Sequence, residues 1–297
     1  MVSPGILLVD KPGGLTSHDV VARTRRAFGT RKVGHAGTLD PMATGLLVIG
    51  VEGATRLLTY IVGADKTYTA TIRLGVSTTT DDAEGEPVRT ADPAALESAT
   101  DARIAAEIAA LTGAISQVPS SVSAIKVDGR RAYDRVRAGE EVELAARQVT
   151  VSRFDVLDTR RGSDAIDVDV VVDCSSGTYI RALARDLGEA LAIGGHLTAL
   201  RRTRVGGFDV ADAVDIDHLA GAQTLSPAEA ASRTMPVLEV TADEARDLRH
   251  GKRLLGQAAR LKASEVAAVD PDGLLVGVVE ARGRDIKSAM NMPEVQG

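Results

Sequence analysis

Apolar residues recur along this chain with two periods, one of about two residues and one of about 3.6, and the periods alternate without a regular order. Ile6 to Val9 reads as a strand, followed by Val20, Val21, Thr24, Ala27 and Phe28 at helical spacing, with Ser17 placed to cap that helix. Leu46 to Val51 is an apolar strand, Ala54 to Val62 suggests a second helix, and Tyr68, Ala70, Ile72, Leu74 and Val76 form one face of an alternating strand. Ala94 to Leu111 reads as helical, and Val149 to Leu157 and Ile166 to Cys174 as strands. In the last of these, Ile166, Val168, Val170 and Val172 face one way and Asp167, Asp169 and Asp173 the other. Ile180, Leu183, Ala184, Leu187 and Leu191 make the stripe of a helix over 178 to 192, and a strand runs through Leu197 to Val205.

The character changes after that strand. Residues 206 to 234 are short pieces rich in Gly, Ala and Asp, and from Met235-Pro236 short strands are expected around one helix near Ala242 to His250, with an unstructured tail from about Ser288. Helix and strand are thus mixed without a βαβ repeat, which predicts an α+β fold with a large domain over 1 to 234 and a small β-rich one over 235 to 297.

A length of 297 residues and 44% hydrophobic content support a proper core of that kind. The N-terminus lacks the basic start and apolar run of a signal peptide, and Glu52 and Arg56 interrupt the longest apolar region, so a cytoplasmic protein with no membrane association is expected. The single cysteine, Cys174, rules out an internal disulfide and reads as a buried, inert thiol. The five histidines are scattered, and no spacing suits a metal, so no metal or cofactor is expected.

The net charge of −6 conceals a segregation. Windows 11 to 32, 126 to 137 and 181 to 204 hold 6, 5 and 5 basic residues against 1, 2 and 2 acidic ones. Residues 81 to 107, in contrast, carry eight Asp and Glu against Arg89 and Arg103. One surface can therefore attract phosphate while another repels it.

Residues 34 to 46, Gly-His-Ala-Gly-Thr-Leu-Asp-Pro-Met-Ala-Thr-Gly-Leu, set the carboxylate of Asp40 among small turn-forming residues directly before an apolar strand. Asp before Pro is a common turn former, and this alone would not single it out. Arg181 is the candidate cation to keep such a carboxylate ionised. It lies four residues from Arg185, for which Glu189 is the expected partner, so Arg181 needs an acidic group from elsewhere in the chain. Asp82, in an acidic loop, is a further candidate, and Tyr68 is an aromatic in a chain with 2% aromatics.

The string 34 to 45 resembles the catalytic motif of the TruB-type tRNA pseudouridine-55 synthases. Further matches follow in the same order: Leu8-Val9-Asp10-Lys11-Pro12-Gly13-Gly14, Asp65-Lys66-Thr67-Tyr68, Val118-Pro119-Ser120 with Ser123-Ala124-Ile125-Lys126, Cys174 to Arg181, and Leu200-Arg201-Arg202-Thr203. The resemblance spans about residues 5 to 210. It implies a pseudouridine synthase catalytic domain with a mixed, mainly antiparallel sheet, followed by a small PUA-like RNA-binding domain.

The resemblance also implies roles for single residues. Asp40 is then the nucleophile that isomerises the T-loop uridine 55 of tRNA, and Arg181 its partner. Tyr68 packs against the flipped-out base, Tyr179 and Leu200 line the same pocket, and His35 takes the space that the base leaves. Lys11 and Pro12 support the floor of the site. A basic mobile thumb over about 118 to 144, with Lys126, Arg130 and Arg131, closes on the T-arm. The expected partner is the tRNA T-arm stem-loop, with no obligatory protein partner and a monomeric state. Two other readings compete. Asp65-Lys66-Thr67 superficially echoes an aspartyl-phosphate motif, but Tyr68 stands where that motif needs Gly. A non-catalytic RNA-binding or tRNA-folding protein would have no need of Asp40.

Overall fold

The computed structural model describes residues 2 to 120, 126 to 127, 130 to 131 and 144 to 293. They form two compact units: residues 1 to 64 with 204 to 297, and residues 65 to 203. Ten elements carry the architecture: β1 (Gly5–Lys11), α1 (Ser17–Phe28), β2 (Val33–Ala36), β3 (Thr44–Val51), β4 (Lys66–Leu74), β5 (Gly113–Gln117), β6 (Arg147–Arg161), β7 (Ile166–Cys174), α2 (Ile180–Ala190) and β8 (Gly195–Val205).

In the first unit β1 runs antiparallel to β3 over its whole length, from Gly5 opposite Val51 to Lys11 opposite Gly45. β2 also pairs with β3, placing His35 opposite Ile49. Both faces of this sheet are buried, so β1 and β3 read as continuous apolar runs rather than alternating ones. On one side Leu7, Val9, Leu47 and Ile49 pack on Val20 and Val21 of α1. On the other, Ile6, Leu8, Leu46 and Val48 share a core with Leu57, Ile61, Ala230 and Ala231.

That second core also takes in Ala267, Leu275, Val278 and Met292 from the C-terminal segment. This segment is a four-stranded sheet of Val237–Glu239, Val266–Val269, Leu275–Arg282 and Asp285–Asn291, in that order, with the helix Ala242–Arg249 on it. Its other face closes a core of its own around Leu248, Val276, Val279 and Ile286. The expected unstructured tail from Ser288 is therefore incorrect. Ser288 to Asn291 complete an edge strand, and the Asn291 carbonyl accepts a 2.6 Å hydrogen bond from Arg56.

In the second unit the sheet order is β8, β4, β7, β6, β5, with antiparallel pairing from β4 to β5. The alternation expected for β4 and β7 holds up to Leu74, where Gly75 at φ +104° ends β4 and leaves Val76 in a separate short strand. Lys66, Tyr68, Ala70, Ile72 and Leu74 are buried, and the opposite face carries polar pairs across the strands. Arg73 grips Asp167 through both Nε and Nη2 at 2.8 Å, Thr71 donates to Asp169 at 2.6 Å, and Thr67 donates to Asp173. The hydrogen bonds from Arg73 and Arg160 hold Asp167 and Asp169, respectively, below the usual carboxylate range.

Two expected helices are broken. The span 94 to 111 divides into Pro93–Ser98, capped by Asp92, and Asp101–Ala110, capped by Thr100. Where 54 to 62 was expected to be one helix, a 3₁₀ segment over Glu52–Leu57 precedes a single α-turn at Leu58–Val62. Among the described residues no helix is long and apolar enough to cross a membrane.

Candidate active site

The turn that carries Asp40 is held by groups from outside it. Lys11, fully buried at the end of β1, donates from Nζ to the carbonyls of Pro12 at 2.9 Å, Leu15 at 2.7 Å and Pro41 at 3.2 Å. The Pro41 carbonyl also accepts from Gly14 N–H at 2.8 Å, and Ala43 N–H closes the turn on the Asp40 carbonyl at 3.1 Å. Three carbonyls around one ammonium suit its three donors, which is how a lysine can be buried beside a turn. Gly37 and Gly45, at φ +87° and +100°, take left-handed backbone that a side chain would strain, and so begin and end the excursion between β2 and β3.

Ser17 was expected to cap α1. The cap is Thr16, which forms a reciprocal box with Asp19, three residues on. Ser17, one position later, is instead buried and spans the loop, accepting from Leu39 N–H at 2.9 Å and donating to the Leu39 carbonyl at 3.2 Å. The residues on both sides of Asp40 are thereby fixed, one by Ser17 and the other by Lys11. Asp40 itself is half-buried, as is His35 in β2, whose ring meets that of His18 edge to face at 5.6 Å.

The second unit holds Tyr68, Tyr179, Arg181 and Leu200. Tyr68 and Leu200 are buried, on β4 and β8, and Tyr179 is half-buried at the start of α2. Arg181, 5% exposed, donates from Nη1 to the Thr80 carbonyl at 2.9 Å and to Asp82 Oδ2 at 3.2 Å. Asp82 is 3% exposed and is no part of a solvated acidic loop. Its other oxygen accepts from Thr80 Oγ1 and from Glu84 N–H at 3.1 Å, so both charges of the buried pair are hydrogen-bonded.

The expected Arg185 to Glu189 ion pair is replaced. Arg185 binds Asp186 at 2.7 Å and Asp81 at 3.2 Å, and donates to the Val118 carbonyl at 2.7 Å. Burial opposes its charge, but Asp186 and Asp81 outweigh that and raise its affinity for the proton. Asp81 also accepts from Ser120 at 2.6 Å. Gln117, equally absent from the sequence reading, bonds the main chain of Tyr179. The acidic density of 81 to 86 was the available signal for Asp81 and Asp82; nothing in the spacing marks Gln117.

Lys66 and Cys174 face each other across β4 and β7. Burial, reinforced by the charge of Arg202, pulls the Lys66 ammonium down to about 8, and burial pushes the Cys174 thiol up to about 11, so the cysteine stays a thiol near neutral pH. Among the described residues no group of three or more His, Cys, Asp or Glu is placed to hold a metal ion. Of the basic thumb segment, the structure describes the backbone of Lys126–Val127 paired with Arg130–Arg131; the rest of 121 to 143 lies outside the described residues.

Comparison with known proteins gives the family of the chain. Residues 25–180 match the model of the TruB family pseudouridylate synthase N-terminal domain. Residues 181–240 match the tRNA pseudouridylate synthase B C-terminal domain, and residues 235–293 the tRNA pseudouridine synthase II C-terminal domain. The proteins named tRNA pseudouridine synthase B from Leifsonia xyli, Corynebacterium aurimucosum and Mycobacterium ulcerans are 62%, 59% and 54% identical to it. These alignments cover 99%, 94% and 97% of this chain and 98%, 93% and 94% of the relatives.

Among solved structures, a Cbf5–Nop10–Gar1 complex aligns with a TM-score of 0.70 at 25% identity, over 98% of this chain and 84% of the other. An H/ACA ribonucleoprotein bound to a substrate RNA containing 2′-deoxyuridine shares the fold at a TM-score of 0.72 and 23% identity, over 98% and 85%. Family model, relatives and fold agree: the chain belongs to the TruB family of pseudouridylate synthases.

Proposed function

We propose that this protein isomerises the uridine at position 55 of the tRNA T-loop to pseudouridine, with Asp40 as the nucleophilic carboxylate acting on a flipped-out base. The observation that carries the reading is the immobilised turn at 39 to 41, held by Ser17 and Lys11, in a chain 62% identical over nearly its full length to a tRNA pseudouridine synthase B. A carboxylate that must act at one atom of a large substrate gains from a backbone that does not move.

The reaction breaks the bond from uracil N1 to ribose C1′, turns the base and rejoins it through C5. Substrate and product have the same atoms and oxidation level, so the chemistry asks for no redox cofactor, and no metal-ligand pattern stands in the sequence. It does ask for an ionised carboxylate, an unstacked base and a pocket that keeps the detached base from diffusing away. Arg181 keeps Asp40 ionised, Tyr68 stacks on the base, Tyr179 and Leu200 close the pocket, and His35 occupies the gap in the T-loop. A guanidinium carries five donors in a planar fork, enough in principle to serve more than one acceptor. Lys126, Arg130 and Arg131 contact phosphate, and 235 to 297 is a PUA-like module that adds affinity to a catalytic domain over 1 to 234. The enzyme acts as a monomer in the cytoplasm without a protein partner.

The test is to map pseudouridine in an unmodified tRNA transcript after incubation with the purified protein. Pseudouridine at position 55 is the expected result. Tight binding with no pseudouridine would overturn the proposal and favour a tRNA-folding protein.

A further inference from the structure

Gln117 ends β5, and at 2% exposure its side chain is buried. Its carboxamide closes a ring with the main chain of Tyr179: the Tyr179 N–H donates to Oε1 at 2.8 Å, and Nε2 donates to the Tyr179 carbonyl at 3.0 Å. This is the two-way exchange that a neighbouring strand would make, supplied here by a side chain. Tyr179 is extended, at φ −104° and ψ 107°, and is the cap residue at which α2 begins. Arg181 is the second residue of that helix. The point at which extended chain becomes helix, and with it the direction of both side chains, is therefore set against Gln117.

The residues that follow Gln117 bond to the next turn of the Arg181 helix and to Asp81, the neighbour of its carboxylate partner. Arg185 donates to the Val118 carbonyl at 2.7 Å, and Ser120 donates to Asp81 at 2.6 Å, which also pairs with Arg185 at 3.2 Å. Asp81 has φ +59°, an uncommon backbone for a residue with a side chain, and it adjoins Asp82, the buried partner of Arg181. Residues 117 to 120 are thus bonded both to the start of the Arg181 helix and to the turn that supplies its carboxylate.

We propose that Gln117 is a positioning residue for Tyr179 and Arg181, acting through the Tyr179 main chain; the inference rests on the functional reading above. Glutamine presents a donor and an acceptor in one plane at the end of a two-carbon stem, and the site uses both. Methionine fills similar space and offers neither. Glutamate offers the acceptor, and regains the donor when it is protonated.

The test compares the wild type with Gln117→Met and Gln117→Glu by single-turnover pseudouridine formation at saturating tRNA transcript, tRNA affinity, thermal unfolding, and amide exchange at Tyr179 and Leu183. For Gln117→Met we expect the single-turnover rate to fall about 10²-fold, the scale of a small misplacement of catalytic groups, with affinity changed less than about threefold. Its Tyr179 amide should exchange faster while that of Leu183, inside the helix, stays protected. For Gln117→Glu the deficit relative to wild type should shrink as pH falls. A folded Gln117→Met with a rate within about twofold of wild type, or with reduced melting temperature and affinity alone, would overturn the proposal, as would unchanged Tyr179 exchange. Absence of pseudouridine with the wild type, while Tyr179 exchange responds as expected, would overturn the functional reading instead.

Discussion

Two turns in this molecule carry aspartates at their tips, and they are built in opposite ways. At 39 to 41 the fasteners come from elsewhere, the Lys11 ammonium and the Ser17 hydroxyl, and they act on backbone atoms of Leu39 and Pro41. At 80 to 82 the carboxylates are themselves the fasteners, Asp81 to Arg185 and Ser120, Asp82 to Arg181 and Glu84 N–H. A carboxylate that holds its own turn together cannot change its bonding without loosening the fold. One whose turn is held by others can react. The contrast marks Asp82 as an organiser of its own turn, whereas the turn of Asp40, the proposed nucleophile, has the Lys11 and Ser17 supports besides.

The largest effect that would sharpen this contrast is on stability. Asp82→Ala takes a buried carboxylate away from the Arg181 guanidinium, the Thr80 hydroxyl and the Glu84 N–H at once, a loss of about 3–5 kcal/mol in urea unfolding. A loss below about 1 kcal/mol would show that Asp82 is dispensable to its turn. Arg181→Lys keeps the charge but loses the planar fork, and single-turnover chemistry should drop about 10²-fold with tRNA affinity nearly unchanged. If instead the Michaelis constant alone rose, Arg181 would be an ordinary phosphate contact.

Lys66 offers a pH test within the second unit. Its folded-state value of about 8 lies below the ordinary 10.5, so between those pH values the unfolded chain binds the proton more tightly. This group therefore makes stability rise as pH goes from about 8 to 10.5, by on the order of 2 kcal/mol. Urea midpoints at pH 7.5 and 9.5 should show that rise in the wild type relative to Lys66→Met; parallel changes in the two proteins would contradict the assignment. The smallest effect is expected from Ser17→Ala, which strips two hydrogen bonds from buried Leu39 and should cost about 1–2 kcal/mol, with a several-fold loss of rate. No loss of rate would mean that the Asp40 turn does not depend on its outer supports.

What could be read from the sequence was what neighbours in the chain decide. The alternation of β4 and β7 needs only a sheet with one buried and one polar face, and Ile166–Cys174 appears over the residues expected. Asp82 could be picked out as a candidate from its acidic loop, but neither its burial nor its partner could, because the arginine that pairs with it stands 99 residues away. Ser17 misled by one position: Thr16 stands three residues before Asp19, the spacing that a capping box requires, and this frees Ser17 to face Leu39. The strand at Ser288 escaped because its ladder shifts register between Val278 and Val279, which breaks the alternation that would have marked it. The Asp40 turn was legible because its glycines, proline and following apolar run are contiguous, whereas Lys11, 30 residues upstream of the carbonyl it grips, was marked as a support only by the family resemblance.

The most direct test of the central claim is single-turnover pseudouridine formation at position 55 by Asp40→Asn, with its urea unfolding measured beside it. The substitution keeps the size of the side chain and leaves the Lys11 and Ser17 supports of the turn in place while removing the charge and the proposed nucleophile. The account predicts a loss of more than roughly 10³-fold in rate, with tRNA affinity retained and unfolding free energy within about 1 kcal/mol of wild type. Measurable turnover by a sequence-verified Asp40→Asn preparation, or a loss of stability as large as that of Asp82→Ala, would contradict it.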